Sequence, residues 1–175
     1  MGRYYNTQTG RSGKFGVCIQ SSMDARDFFG ASESGLMDES TGEFFIGKDQ
    51  KEELKGKIDE LYDKLEVPKE KRVYYLQNNR FPSNTDKGVS EGEFHDLLND
   101  YTLIIVHRNE VKRYNKRDGY EHNSWYSERA EAAGKHMTAI ESREGATLCG
   151  CRLYLGLTML SDIEDTGECW LTAEL

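Results

Sequence analysis

The sequence lacks the features that mark linkers, secreted chains and membrane proteins. It contains only two prolines in 175 residues and no low-complexity tract. No hydrophobic run reaches the length of a membrane span, and the first residues lack the apolar core of a secretory signal. Asn6 stands where a myristoylation motif requires Ser or Thr. We therefore expect no membrane partner and a cytoplasmic location, in the host cytoplasm if the protein is viral, with its four cysteines reduced.

The composition predicts a folded, acidic single domain over residues 1–175. Ten Tyr, seven Phe and two Trp are more aromatic residues than disordered chains carry. The net charge of −8 disfavours a surface that binds nucleic acid all round, because phosphate neutralisation supplies most of that affinity. An acidic surface instead favours solubility or a basic partner.

The stretch from Tyr101 to Asn109 is predicted to be the inner strand of a sheet. Its centre, Leu-Ile-Ile-Val, is rich in β-branched residues and places apolar side chains on both faces. A sheet strand of this kind needs cover on each side. We therefore expect the other elements to pack around it.

Helical periodicity and capping patterns predict several helices. Asp49 to Leu65 is the clearest, because its apolar residues form one stripe and Asp49 and Glu52 have capping-box spacing. Ser90 and Glu93 form a second capping box ahead of a short helix ending near Tyr101. Residues 146–163 fit both a strand and a helix, and their length favours a helix. Shorter helices are expected over residues 23–29, capped by Ser22, and from Ser127 to about residue 140.

Turn signals and alternation predict the strands. We expect a hairpin within residues 1–22, an acidic loop over 35–42, a strand at 43–46, a strand near 73–76 and a closing strand at 169–175 on a sheet edge. The fold class expected is therefore α+β, a mixed but mostly antiparallel sheet with three or four helices packed on it.

A basic, aromatic hairpin is predicted at about 107–126, with Asp118-Gly119 near its tip. Residues 107–117 carry a local charge of +4 within an acidic chain. Cationic groups follow phosphates while aromatic rings stack on bases, and the same residues are common anchors in protein interfaces. A solvated hairpin with its rings folded onto the core is equally consistent. The residues expected to bind a partner are Arg108, Lys112, Arg113, Tyr114, Lys116, Arg117, Tyr120, Trp125 and Tyr126.

Acidic residues are concentrated in two other regions. Residues 24–66 hold thirteen acidic and six basic residues, and residues 160–175 hold five acidic and no basic ones. An acidic face can imitate a phosphate backbone and bind the basic groove of a nucleic-acid-binding protein. Asp59, Glu60 and Asp63 represent this surface, although such a face more often serves solubility alone.

Two kinds of chemical site are compatible with the sequence, and each has a simpler explanation. One is a four-thiolate zinc site, for which the candidate ligands are Cys18, Cys149, Cys151 and Cys169. However, Cys-Gly-Cys is not the usual ligand spacing, and buried thiols more often behave as small hydrophobes. His107, Asn123 and His136 follow the order of a His-Asn-His nuclease, an order that four histidines also produce by chance. No nucleotide-binding or nucleophile motif is complete.

These observations favour a non-enzymatic, acidic binding or inhibitor protein without a cofactor. It would engage a protein partner, including a nucleic-acid-binding host factor by charge mimicry, or nucleic acid through the hairpin. Small acidic proteins without catalytic motifs include viral and phage accessory proteins, and this association rests on composition alone. The alternative is a metal-dependent nuclease or phosphoryl-transfer enzyme centred on His107, Asn123 and His136.

Overall fold

A computed structural model of the protein describes residues 3–16, 20–81, 87–98, 100–101 and 143–175. Its centre is a five-stranded sheet whose spatial order is β2-β1-β5-β4-β3. All neighbouring strands run antiparallel. The strands are β1 (Tyr4–Thr7), β2 (Ser12–Lys14), β3 (Ser32–Asp38), β4 (Thr41–Gly47) and β5 (Glu168–Glu174).

Four helices accompany the sheet in the described part of the chain. They are α1 (Asp24–Asp27), α2 (Lys51–Lys64), α3 (residues 91–98) and α4 (Arg143–Thr166). Short 3-10 turns cover Lys48–Gln50 and Lys69–Lys71. The predicted α+β class is confirmed, with an antiparallel sheet in the described residues.

The hydrophobic core lies on one face of the sheet. Alternate residues of the three middle strands are buried, as in the Cys169, Leu171 and Ala173 series of β5. They meet the apolar sides of α2 and α4, where Leu54, Ile58, Leu153 and Leu157 are fully buried. This alternation between buried and exposed positions is expected because the described helices pack on one face of the sheet.

Several sequence predictions are confirmed. Strands β1 and β2 form the expected amino-terminal hairpin, and α4 confirms the helix predicted for residues 146–163. The second capping box is present: the Ser90 amide donates to Glu93 Oε2 at 2.8 Å, and the Glu93 amide donates to Ser90 Oγ at 3.2 Å. Hydrogen bonds from the Ser90 amide, and then from its hydroxyl, lower the pKa of the Glu93 carboxyl.

The predictions near helix starts need correction. Helix α2 begins at Lys51 after a 3-10 turn, and the predicted capping box of Asp49 and Glu52 does not form. Instead, the Gln50 side chain accepts a hydrogen bond from the Gly47 amide at 3.3 Å. Helix α1 is shorter than expected, and Ser22 does not cap it. The Ser22 hydroxyl accepts from Arg3 instead, so a tertiary partner replaced the local cap.

The predictions for strands also need correction. Residues 35–42 are not a loop, since β3 continues through Asp38 and only a tight turn separates it from β4. Residues 73–76 do not form a strand, and in the described part of the chain their β-pairing is limited to an isolated bridge between Leu76 and Val89. Strand β5 lies between β1 and β4, at the centre of the sheet rather than at its edge. Of the strand predicted over Tyr101 to Asn109, residues 102–109 lie outside the described residues, and Tyr101 is helical and buried.

Candidate binding face

The outer face of the sheet is exposed or half-buried along the three middle strands and on β2. We call it the open sheet face. The strand register aligns its side chains in rows across the strands. The first row contains Lys14, Tyr4, Glu174 and Thr41, and the second contains Ser12, Asn6, Thr172 and Glu43. The third row contains Trp170 and Phe45, and the last contains Glu168.

Aromatic rings form the apolar part of the open sheet face. Trp170 is 36% exposed to solvent and Tyr4 is 49% exposed. These are the two highest values among the aromatic residues of the five described strands. Trp170 packs against Phe45 on the neighbouring strand, with 4.7 Å between ring centroids and an interplanar angle of 49°. Exposed aromatic side chains of this size are typical anchors of protein interfaces.

Carboxylates flank these rings. Glu168 precedes Trp170 by two residues on the same face, and its carboxylate makes no ion pair or hydrogen bond with the described residues. Glu43 accepts from the Ser34 hydroxyl at 2.7 Å, and Glu174 accepts from the Tyr4 amide at 2.9 Å. Among the described residues, Lys14 is the single cation of the face, and it lies 5.7 Å from the Tyr4 ring centre. The face therefore has a negative charge excess.

Local sequence explains why Trp170 points outwards. In the run from Cys169 to Glu174, small or apolar residues alternate with Trp, Thr and Glu, and a strand sends alternate side chains to opposite faces. The sequence pattern predicted the strand but placed it at an edge, so the open sheet face was not identified. The alternation around Trp170 was the sequence signal that could have indicated an outward-facing indole. The pairing with β4, which brings Phe45 and Glu43 beside Trp170, depends on the tertiary structure.

The predicted acidic surface on α2 is already paired within the molecule. Arg72 lies 2.6 Å from the Asp63 carboxylate and 3.6 Å from that of Asp59. Asp59 also accepts from the Tyr74 hydroxyl, and Glu60 lies 3.7 Å from Lys57. Asp59, Glu60 and Asp63 do share one side of the protein, but neighbouring cations offset much of their charge.

A second polar cluster is buried beneath the sheet. The Arg11 guanidinium lies 2.8 Å from Asp162 and 2.7 Å from Asp165, both on α4, and donates to the Leu76 carbonyl at 2.6 Å. The Thr9 hydroxyl donates to Asp162 at 2.6 Å. A cleft of about 310 Å³ opens beside Arg11, whose two terminal nitrogens contact internal partners, whereas its buried Nε has no hydrogen-bond partner among the described residues. The cluster connects the loop between β1 and β2 to α4 and to the segment that contains Leu76.

The described thiols are poorly suited to bind zinc. Cys149 and Cys151 are two residues apart on α4 and so point in different directions. Burial raises the pKa of the Cys151 thiol and raises that of Cys169 well above its ordinary value. Zinc binds thiolates, so protonated thiols oppose it. In the described part of the chain, no group of three His, Cys, Asp or Glu residues is arranged to hold a metal ion, and Cys18 lies outside that part.

The other predicted site residues lie outside the described residues. These comprise the nuclease set of His107, Asn123 and His136 and the whole basic hairpin at 107–126 with its partner-binding residues. Both remain predictions from the sequence. Among the helices that are described, none combines the length and the hydropathy needed to cross a membrane.

The described residues define an α+β protein in which helices pack on one face of an antiparallel sheet and acidic and aromatic side chains lie on the other. Comparisons with protein-family models, with curated proteins and with solved structures found no match to this chain.

Proposed function

We propose that this chain is a non-enzymatic, acidic binding protein that engages a basic protein partner through the open sheet face. One observation carries the proposal: Glu43, Glu168 and Glu174 surround exposed aromatic rings, with only Lys14 to oppose them among the described residues. Aromatic anchors supply contact area, while carboxylates steer and orient a cationic partner. The partner class expected is a nucleic-acid-binding protein, whose basic surface an acidic face can occupy. A cytoplasmic location belongs to the same proposal.

The contrast between two acidic regions makes the proposal specific. On α2, Arg72 and Lys57 lie within 4 Å of the acidic side chains, so part of the charge is satisfied internally. On the open sheet face, the Glu168 carboxylate has no such partner among the described residues. An unpaired carboxylate loses no existing ion pair when a cation binds to it. The sheet is therefore a better surface for a basic partner than α2 is.

A charge-reversal experiment with a matched control tests this function. The double variant Glu43→Lys/Glu168→Lys should weaken binding of a fluorescein-labelled peptide rich in Lys and Arg by about tenfold or more, measured by fluorescence anisotropy at low salt. The control, Glu53→Lys/Glu60→Lys, makes the same charge change on exposed positions of α2 and should weaken binding much less. An acidic peptide of equal length should not bind.

The other outcomes of this experiment contradict the proposal or relocate the site. Equal loss in both variants would mean that net charge alone attracts the peptide, and the proposal would fail. Greater loss in the α2 variant would instead assign the partner to the surface of Asp59, Glu60 and Asp63. Affinity should also fall as salt rises, because exposed charges are screened.

A further inference from the structure

The open sheet face presents its aromatic and acidic groups at a regular spacing. Along β5, the outward residues Glu168, Trp170, Thr172 and Glu174 follow one another at every second position. Same-face neighbours on a strand are about 7 Å apart. An extended peptide has the same repeat, so its alternate side chains can meet successive rows of the face.

Hydrogen bonds fix the backbone around Trp170, and its ring packs on a neighbouring aromatic side chain. The Gln8 side chain accepts from the Trp170 amide at 2.8 Å and donates to the Glu168 carbonyl at 2.8 Å, while the Gln8 amide donates to the Trp170 carbonyl at 3.2 Å. Phe45 supports the indole ring from the neighbouring strand. A fixed aromatic anchor avoids part of the entropy loss of binding.

The groups around the indole favour one kind of cation. A guanidinium is planar and stacks on an aromatic face, and it can also donate two parallel hydrogen bonds to a carboxylate. Glu168 lies one row from Trp170 on the same strand, and Glu43 lies one row away on the next strand. A lysine ammonium is more strongly hydrated and cannot make the planar contact. Indole and carboxylate together therefore match arginine better than lysine.

We propose that the open sheet face binds an extended partner segment with arginines at alternate positions, one of them stacked on Trp170. The inference rests on the proposed function and specifies its partner. A second copy of this chain does not fit the face, because two such surfaces would bring together like charges. The side chains between the arginines would point away from the sheet.

The test compares three peptides of equal length and charge. One alternates Arg with Ser, one alternates Lys with Ser, and one has the Arg residues in a single block followed by the Ser residues. The alternating Arg peptide should bind about tenfold more tightly than either of the others in fluorescence anisotropy. Trp170→Ala should remove this preference while leaving weak, salt-sensitive binding of all three.

Controls separate binding effects from unfolding. Trp170→Ala should retain the far-UV spectrum of the unsubstituted protein and a cooperative urea transition, with a lower midpoint because the packing of Trp170 against Phe45 is lost. Trp170→Phe keeps an aromatic face and should retain part of the preference, which makes it a second readout. Gly56→Ala on α2 should leave all three affinities unchanged.

Failure of the inference and failure of the function give different results. If all three peptides bind equally and the face variants still weaken them, the arginine specificity is wrong and the proposed function stands. If the preference survives Trp170→Ala, the assigned anchor is wrong. If no basic peptide binds, both the inference and the proposed function are wrong.

Discussion

Arg11 shows how a single buried charge can join distant parts of the chain. Its side chain retains 6% exposure and contacts two carboxylates of α4, the carbonyl of Leu76 and the ring of Tyr75, whose centre is 5.4 Å away. Buried ions need such partners because transfer from water to a protein interior is costly. The position therefore contributes to the arrangement of the fold more than to ligand binding.

Removing this guanidinium should destabilise the protein strongly. Arg11→Ala leaves Asp162 and Asp165 buried without their shared cation, and we expect a loss of about 3–5 kcal/mol in the free energy of unfolding by urea. Arg26→Ala is the matched control, because Arg26 pairs with Asp27 and Glu33 at an exposed site and should barely shift the urea midpoint. Comparable losses in the two variants would contradict the assigned role of burial.

Asp162 should give the stability an unusual pH dependence. Burial raises its pKa, against the opposing effects of hydrogen bonds from Thr9 and Thr7 and of the Arg11 charge. The folded state then holds the proton more tightly than the unfolded state. The stabilising contribution is full below the unfolded pKa and declines as pH rises through the folded pKa.

The variant Asp162→Asn isolates this titration. We expect the unsubstituted protein to gain stability relative to the variant as pH is lowered. The difference between their free energies of unfolding should grow between the pKa of Asp162 in the folded state and its lower pKa in the unfolded state. Urea denaturation at a series of pH values measures it. If this difference decreases as pH is lowered, the Arg11 charge outweighs the effect of burial and lowers the pKa of Asp162.

At the scale of the elements, two glycines in helices have opposite roles. Gly56 lies on the exposed side of α2, and no atom lies within 4 Å of the position that a Cβ would occupy there. Gly156 lies in α4, where an added Cβ would lie 2.8 Å from two carbon atoms of the Phe29 ring and 3.1 Å from Ile58. The second glycine permits close packing of α4 against its neighbours.

Alanine substitution should therefore have opposite effects at these two sites. Gly56→Ala should stabilise the protein by about 0.5–1 kcal/mol, because alanine has the higher helix propensity. Gly156→Ala should destabilise it by about 1–3 kcal/mol through overpacking, despite the same gain in propensity. Thermal or urea unfolding measures both. Stabilisation by both substitutions would mean that the Phe29 contact relaxes easily.

At the scale of the whole molecule, the two faces of the sheet serve different purposes. One face forms the core with α2 and α4, and the other carries Trp170, Tyr4 and the three carboxylates. Antiparallel sheets commonly have one buried and one solvated face, and hydrophilic side chains then keep the outer one soluble. Carboxylates alone would keep the outer face soluble, and an exposed indole does not contribute to solubility. The presence of Trp170 among these carboxylates is therefore the reason to expect a partner on the outer face.

The sequence by itself determined those features that depend on neighbours along the chain. Helical periodicity placed α2, and segment length favoured a helix for residues 146–163, where periodicity fitted both a strand and a helix. The Ser90 and Glu93 pair placed the start of α3, and turn residues placed the first hairpin. The acidic character of the protein also follows from composition. Each of these depends on local periodicity, on capping or on total charge.

Only the tertiary structure decided how the distant parts meet. Strand β5 looked like an edge strand, but its pairing with both β1 and β4 places it at the centre of the sheet. That pairing puts Phe45 and Glu43 beside Trp170, more than 120 positions away along the chain. Likewise, Arg72 neutralises Asp63 only because the chain turns back after α2. Strand order and ion pairing between segments are set by which apolar surfaces are buried together, and a local pattern does not contain that information.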